Sequence, residues 1–287
     1  MTFMPGSVLV PALALILGGV SVFSAEGAAW LGIAFILFAG IPHGAFDLKA
    51  ARLAWGREGR SNAVIVGVYC AVGGAMSAVC LLAPTLGLIF FLAISVAHFS
   101  EGERETLGQV GGLIVGLAAI AAPIGWHVAA AARYTAFFID GAVMTAIAPA
   151  ARFSADILGL AVVALGASLA WRRCWRDAFE LGVCLVSWAL LDPLAGFAVW
   201  FIGRHGRHHL ARCRETFVTG PRLFSLDTVL ISIVAIVLIA PLALKFDLRV
   251  IDELFAASIV LVAGLTLPHM VVTHRSGKFQ RRPDSPI

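Results

Sequence analysis

Charge is what this sequence has least of. Of 287 residues only 21 are Lys or Arg and 17 are Asp or Glu, 13% together, while 60% are hydrophobic. A soluble domain carries about a quarter charged residues and about half apolar ones, so this composition and a mean hydropathy of +0.93 exclude one. Cysteine is scarce and unpatterned. Cys70, Cys80, Cys174, Cys184 and Cys213 are odd in number and form no C-x-x-C or zinc-ribbon spacing, which argues against a disulfide framework or a thiolate metal site and leaves them as small apolar residues. Met1–Ser7 lacks lysine and arginine, and Val8–Ala25 is longer than a signal-peptide core, so a retained first span is expected. The net charge of +4 would suggest nucleic acid in a soluble chain, but the basic residues fall in short gaps between apolar runs. There they set topology, and no nucleic-acid partner is expected.

The apolar runs predict an all-α fold: a polytopic integral membrane bundle of about eight to ten transmembrane helices, forming a single domain over 1–287. In order they are Val8–Ser24, Ala28–Ile41, Ser61–Ala83, Leu86–Phe99, Gln109–Ile124, Asp156–Trp171, Phe179–Ile202, Leu226–Leu244 and Asp252–Met270. The stretch Trp126–Phe153 is mixed, interrupted by Arg133, Asp140 and Pro149. Asp192-Pro193 interrupts the run from Phe179, because proline disfavours helical geometry in the residue before it. Charge decides how to read that break. With the loop carrying Lys49, Arg52, Arg57 and Arg60 on the cytoplasmic side, the positive-inside rule returns Arg204, Arg207, Arg212 and Arg214 inside only if the chain reverses at Asp192-Pro193. We therefore expect two short spans there and both termini in the cytoplasm.

Histidine is the residue that the runs position. W-F-I-G-R-H-G-R-H-H-L-A-R-C-R places His205 and His209 one helical turn apart on one face, a spacing suited to a metal clamp. His43 and His98 end other spans, and under the expected topology these four and His269 share the cytoplasmic depth of the membrane. His127 falls on the outer side and His274 in the tail, where both read as structural. Interfacial polar residues beside basic ones are the plainer alternative for any one of these histidines. Asp47 stands four residues after His43, and Glu101 three after His98. Each is either the carboxylate that takes the second ring N–H of a ligating histidine or a solvated charge at a span end. His269 in L-P-H-M is either such an outer donor or a cap, and His208 points off the His205/His209 face as a lesser candidate.

H-G-A-F-D, A-H-F-S-E-G-E, F-I-G-R-H-G-R-H-H and the late L-P-H, in that order, resemble the Brp/Blh family of membrane β-carotene 15,15′-dioxygenases, with its H-G-x-x-D, H-F-G, F-x-x-x-H-S-x-R-H and P-H pattern. The chain departs from it at Ser100, Gly206 and His208. The resemblance implies iron(II) held by His43, His98, His205 and His209, and cleavage of the central double bond of β-carotene by O2 to two retinals. It also implies a functional link to a retinal-binding rhodopsin.

A lipid-soluble substrate suits a site between membrane helices, and this chemistry needs no Ser-His-Asp or paired-carboxylate constellation. Phe46, Phe99, Phe197, Trp200 and Phe201 neighbour the histidines and are candidates to line a polyene tunnel, or else serve as interface anchors. Two other readings stay open. H-G-R-H-H satisfies the H-x-x-H-H box of membrane di-iron desaturases and hydroxylases, although no second histidine box exists elsewhere in the sequence. Broken spans with intramembrane charge would also suit a non-catalytic carotenoid- or retinal-binding or transport protein.

Overall fold

The computed structural model describes residues 8–44, 46–55, 62–217 and 240–280, with side chains at all of these except 39, 41–43, 52–55, 62, 63, 216, 217, 240 and 275–280. Among the described residues every regular element is helical. Helices α1 (Leu9–Phe23) and α2 (Ala25–Gly44) are followed by the short α3 (Asp47–Trp55) and by α4 (Asn62–Leu82). Then come α5 (Pro84–Trp126), α6 (Val128–Tyr134), α7 (Gly141–Trp171), α8 (Trp175–Leu190) and α9 (Pro193–Trp200). A π-helical segment, Phe201–Gly206, leads into α10 (Arg207–Phe217); a 3₁₀ turn, Ala240–Leu244, precedes α11 (Ile251–Gln280).

The chain is an all-α membrane bundle. Val64–Leu82, Pro84–Trp126, Gly141–Trp171 and Ile251–His274 are long and apolar enough to cross a bilayer, and Leu9–Phe23 and Ala25–Phe38 are shorter apolar helices. Large side chains such as Leu15, Val22, Leu160 and Leu190 point outward, which water would penalise and lipid does not. The five cysteines are free, in keeping with their irregular spacing.

Two expected boundaries differ. Residues 141–153 join the next apolar run in one helix: Asp140 caps it by accepting from the Ala142 N–H at 2.7 Å, and α7 runs on through Pro149. The fourth and fifth runs form α5, whose backbone breaks at Gly108 (φ 74°, ψ 177°), a conformation that glycine tolerates and other residues resist. The two arms then fold back on each other. Residues 100 and 116 would lie about 24 Å apart on an unbroken helix. Instead, a Cβ at Gly116 would come within 2.7 Å of the Ser100 nitrogen, and one at Gly112 within 2.6 Å of the Ser100 carbonyl oxygen.

The expected break at Asp192 is present. The Asp192 carboxylate caps α9 through the Leu194 N–H (2.9 Å) and accepts from the Tyr134 hydroxyl (2.8 Å). The run expected over Leu226–Leu244 lies outside the described residues as far as 239.

Candidate metal centre

Four imidazoles from four parts of the chain meet at one place. The first arm of α5 carries His98, the π-helical segment His205, α10 His209 and α11 His269. The ring centres of His98 stand 5.1 Å from His205, 6.4 Å from His209 and 5.0 Å from His269, and His209 lies 5.4 Å from His269. Imidazoles bonded to one ion at about 2.1 Å hold their centres roughly 4.5 to 6.5 Å apart, so this is ligand spacing. Among the described residues no three such side chains are placed to hold an ion together as they stand. His43 closes the last turn of α2, and its side chain lies outside the described residues.

His205 is held from several directions. Phe201 stacks on its ring at 5.7 Å and 17°, and Phe99 meets it edge-on at 4.9 Å. Gly102 lies directly against it: a Cβ there would fall 2.9 Å from Cε1. Trp200 is fully buried behind both rings, 5.3 Å from His205 and 4.9 Å from Phe99. The Cys213 sulfur, read from sequence as apolar filling, is 3.2 Å from Nε2 of His209.

The two candidate carboxylates go different ways. Asp47 bonds Nδ1 of His269 through Oδ1 at 2.6 Å, while its Oδ2 accepts from the Tyr69 hydroxyl at 2.7 Å. Glu101 turns outward, exposed and 3.7 Å from His274, rather than supporting His98. A buried carboxylate without a partner costs several kcal/mol, and it is Glu103 that takes the inward place, paired with an arginine. His208 is engaged by the charged residues, its Nε2 accepting from Arg207 at 3.0 Å. His127 lies 3.0 Å from the Trp188 carbonyl, apart from the cluster.

Beneath His205 is a charged layer that was read from sequence only as topological signal. Arg204, fully buried, donates to Glu103 (2.9 Å), Asp177 (3.1 Å) and Glu180 (3.1 Å). Glu180 is also gripped by both terminal nitrogens of Arg207 (2.9 and 2.7 Å) and by Arg176 (3.1 Å). Arg212 reaches the Gly102 carbonyl (3.2 Å) and Glu105 (3.1 Å). These bonds tie the π-helical segment and α10 to α5 and α8 on both sides of the histidines.

A cavity of about 960 Å³ opens from the cluster into the bundle. It lies at the upper end of the roughly 300–1,000 Å³ of ligand pockets, and its walls are almost wholly apolar. His98, His269, Phe99, Phe197 and Phe201 line it, whereas Phe46 and Trp200, expected on the wall, are buried outside it. A family model for β-carotene 15,15′-dioxygenase matches residues 34–275.

The chain belongs to that family. The matched residues run from within α2 to the end of α11's apolar part and include all the histidines of the cluster. Neither a curated protein nor a solved structure matches the chain. For a member of a β-carotene dioxygenase family the donor set fits a metal: imidazole nitrogens beside an apolar cavity suit iron, zinc, copper or nickel.

Proposed function

We propose that this chain is an iron(II)-dependent enzyme that cleaves the central 15,15′ double bond of β-carotene with O2, giving two molecules of all-trans-retinal. The observation that carries this reading is the convergence of buried imidazoles at an apolar cavity, in a chain of this family. His43, His98, His205 and His209 are the ligands that the family motifs imply. Iron(II), when bound, supplies the unpaired electrons that allow dioxygen to react with a closed-shell alkene. One C=C and one O–O bond break and two C=O bonds form, so no outside reductant is required.

The protein's own contribution is placement. The cavity takes the polyene out of the lipid and excludes water, and Phe99, Phe197 and Phe201 present ring faces and edges beside His98 and His205. The charged layer keeps the segment carrying His205 and His209 from moving. The same reading places the histidines at the cytoplasmic ends of their spans, in a bacterial inner membrane with both termini inside, and makes a retinal-binding rhodopsin the natural consumer of the product.

Expression in cells that accumulate β-carotene tests the proposal: retinal should appear as β-carotene disappears. His205→Ala and His43→Ala should abolish iron binding and cleavage while leaving the protein in the membrane. One iron per chain supports the dioxygenase, two the di-iron alternative, and none, with carotenoid still bound, a carrier. The bond from Arg207 to Nε2 of His208 speaks against a working H-x-x-H-H box. Undiminished retinal production by both variants would overturn the ligand assignment.

A further inference from the structure

His269 stands as close to His98 as His205 does. Its ring is 5.0 Å from His98 and 5.4 Å from His209, and His98 to His205 is 5.1 Å. It arrives on α11, 60 residues beyond His209 in sequence, and the structure gives it a support of its own. Asp47, buried at the start of α3, accepts from Nδ1. Tyr69 on α4 donates to the other carboxylate oxygen and also lies 3.3 Å from the Leu265 carbonyl on α11.

The helix packing makes that chain possible. A Cβ at Gly73 would fall 2.6 Å from the Gly264 carbonyl oxygen, so α4 and α11 touch backbone to backbone one turn from Tyr69. Small residues permit such close crossings in membranes. Pro268 interrupts the helical ladder immediately before His269, its missing N–H leaving the Gly264 carbonyl without the usual partner.

We propose that His269 is itself a ligand of the metal and that Tyr69 and Asp47 are positioning residues for it. A neutral imidazole whose Nδ1–H is given to a carboxylate carries its lone pair on Nε2, and that arrangement fixes the tautomer, the ring plane and the basicity of a ligating histidine. A buried carboxylate held by one phenol and one imidazole has little other structural use, because it costs more to bury than an apolar residue of the same size. The inference rests on the iron-site reading above and adds a ligand that the family motifs leave unassigned.

Cobalt(II) titration of the purified chain in detergent separates the two, since visible d–d bands report ligand number and type without turnover. The native chain should bind one Co(II). His269→Ala should weaken that binding by more than about 100-fold and shift the bands, with added imidazole restoring them. His269→Gln, which keeps an N–H for Asp47 but coordinates poorly, should behave like the alanine variant and covers the case in which the latter does not fold. Asp47→Asn and Tyr69→Phe should each cost about 10- to 100-fold in affinity and move the bands without responding to imidazole. Bands and affinity unchanged in His269→Gln would overturn the ligand assignment and leave the iron-site reading standing; unchanged bands in Asp47→Asn would overturn the positioning role. A native chain that binds neither Co(II) nor Fe(II) would instead sink the iron-site reading.

Discussion

At the scale of single residues, the position most sensitive to change beside the histidines has no side chain. Gly102 faces His205 so closely that a methyl group would meet the imidazole, and the ring is already boxed in by Phe99, Trp200 and Phe201. Gly102→Ala should therefore displace His205 rather than unfold the bundle. We expect metal affinity and retinal formation to fall by about 100-fold, since a shift near 1 Å at a reacting centre costs that much, with the helical circular dichroism unchanged. The same scale shows what the sequence could and could not reveal. The histidines were legible because H-x-x-x-H at a span end is a local pattern. The bond from Asp47 to His269 was not, because the two residues are 222 apart in the chain and only the packing of α3 against α11 brings them together. Arg204 was read as a marker of sidedness for a similar reason, because its partner Glu103 is 101 residues distant.

At the scale of elements, breaks matter more than spans. The apolar runs foretold most helices, and the Asp-Pro pair foretold the turn before α9, because capping and the proline ring act locally. The hairpin of α5 could be seen only as two runs, since the direction in which a glycine sends the chain is decided by packing. Its two arms meet through Gly112 and Gly116 against the turn that contains Ser100, two residues after His98. Gly116→Leu should force the arms apart at a cost of about 1–3 kcal/mol, the usual penalty of overpacking, and lower the thermal midpoint in detergent by several degrees. Metal binding should fail with it, because His98 rides on the displaced turn. The π-helical winding of Phe201–Gly206 had no sequence signal, although such windings recur at functional sites and this one carries His205.

At the scale of the whole molecule, an apolar exterior surrounds an apolar cavity, and His98 and His269 stand on its wall. This division lets substrate entry be tested apart from chemistry. Ser95 is buried on the cavity wall one turn before His98, so Ser95→Trp should fill the approach to the site while leaving every candidate ligand in place. Iron content should stay at the native level and β-carotene turnover should drop by about 100-fold, measured as retinal formed per iron.

The layer under His205 carries one more implication. Dissolved ions weaken an attraction between charges only where they can come near it. Arg204 and Glu103 are wholly shielded from the aqueous phase, so this pair, which adjoins His205, is indifferent to salinity on either side of the bilayer.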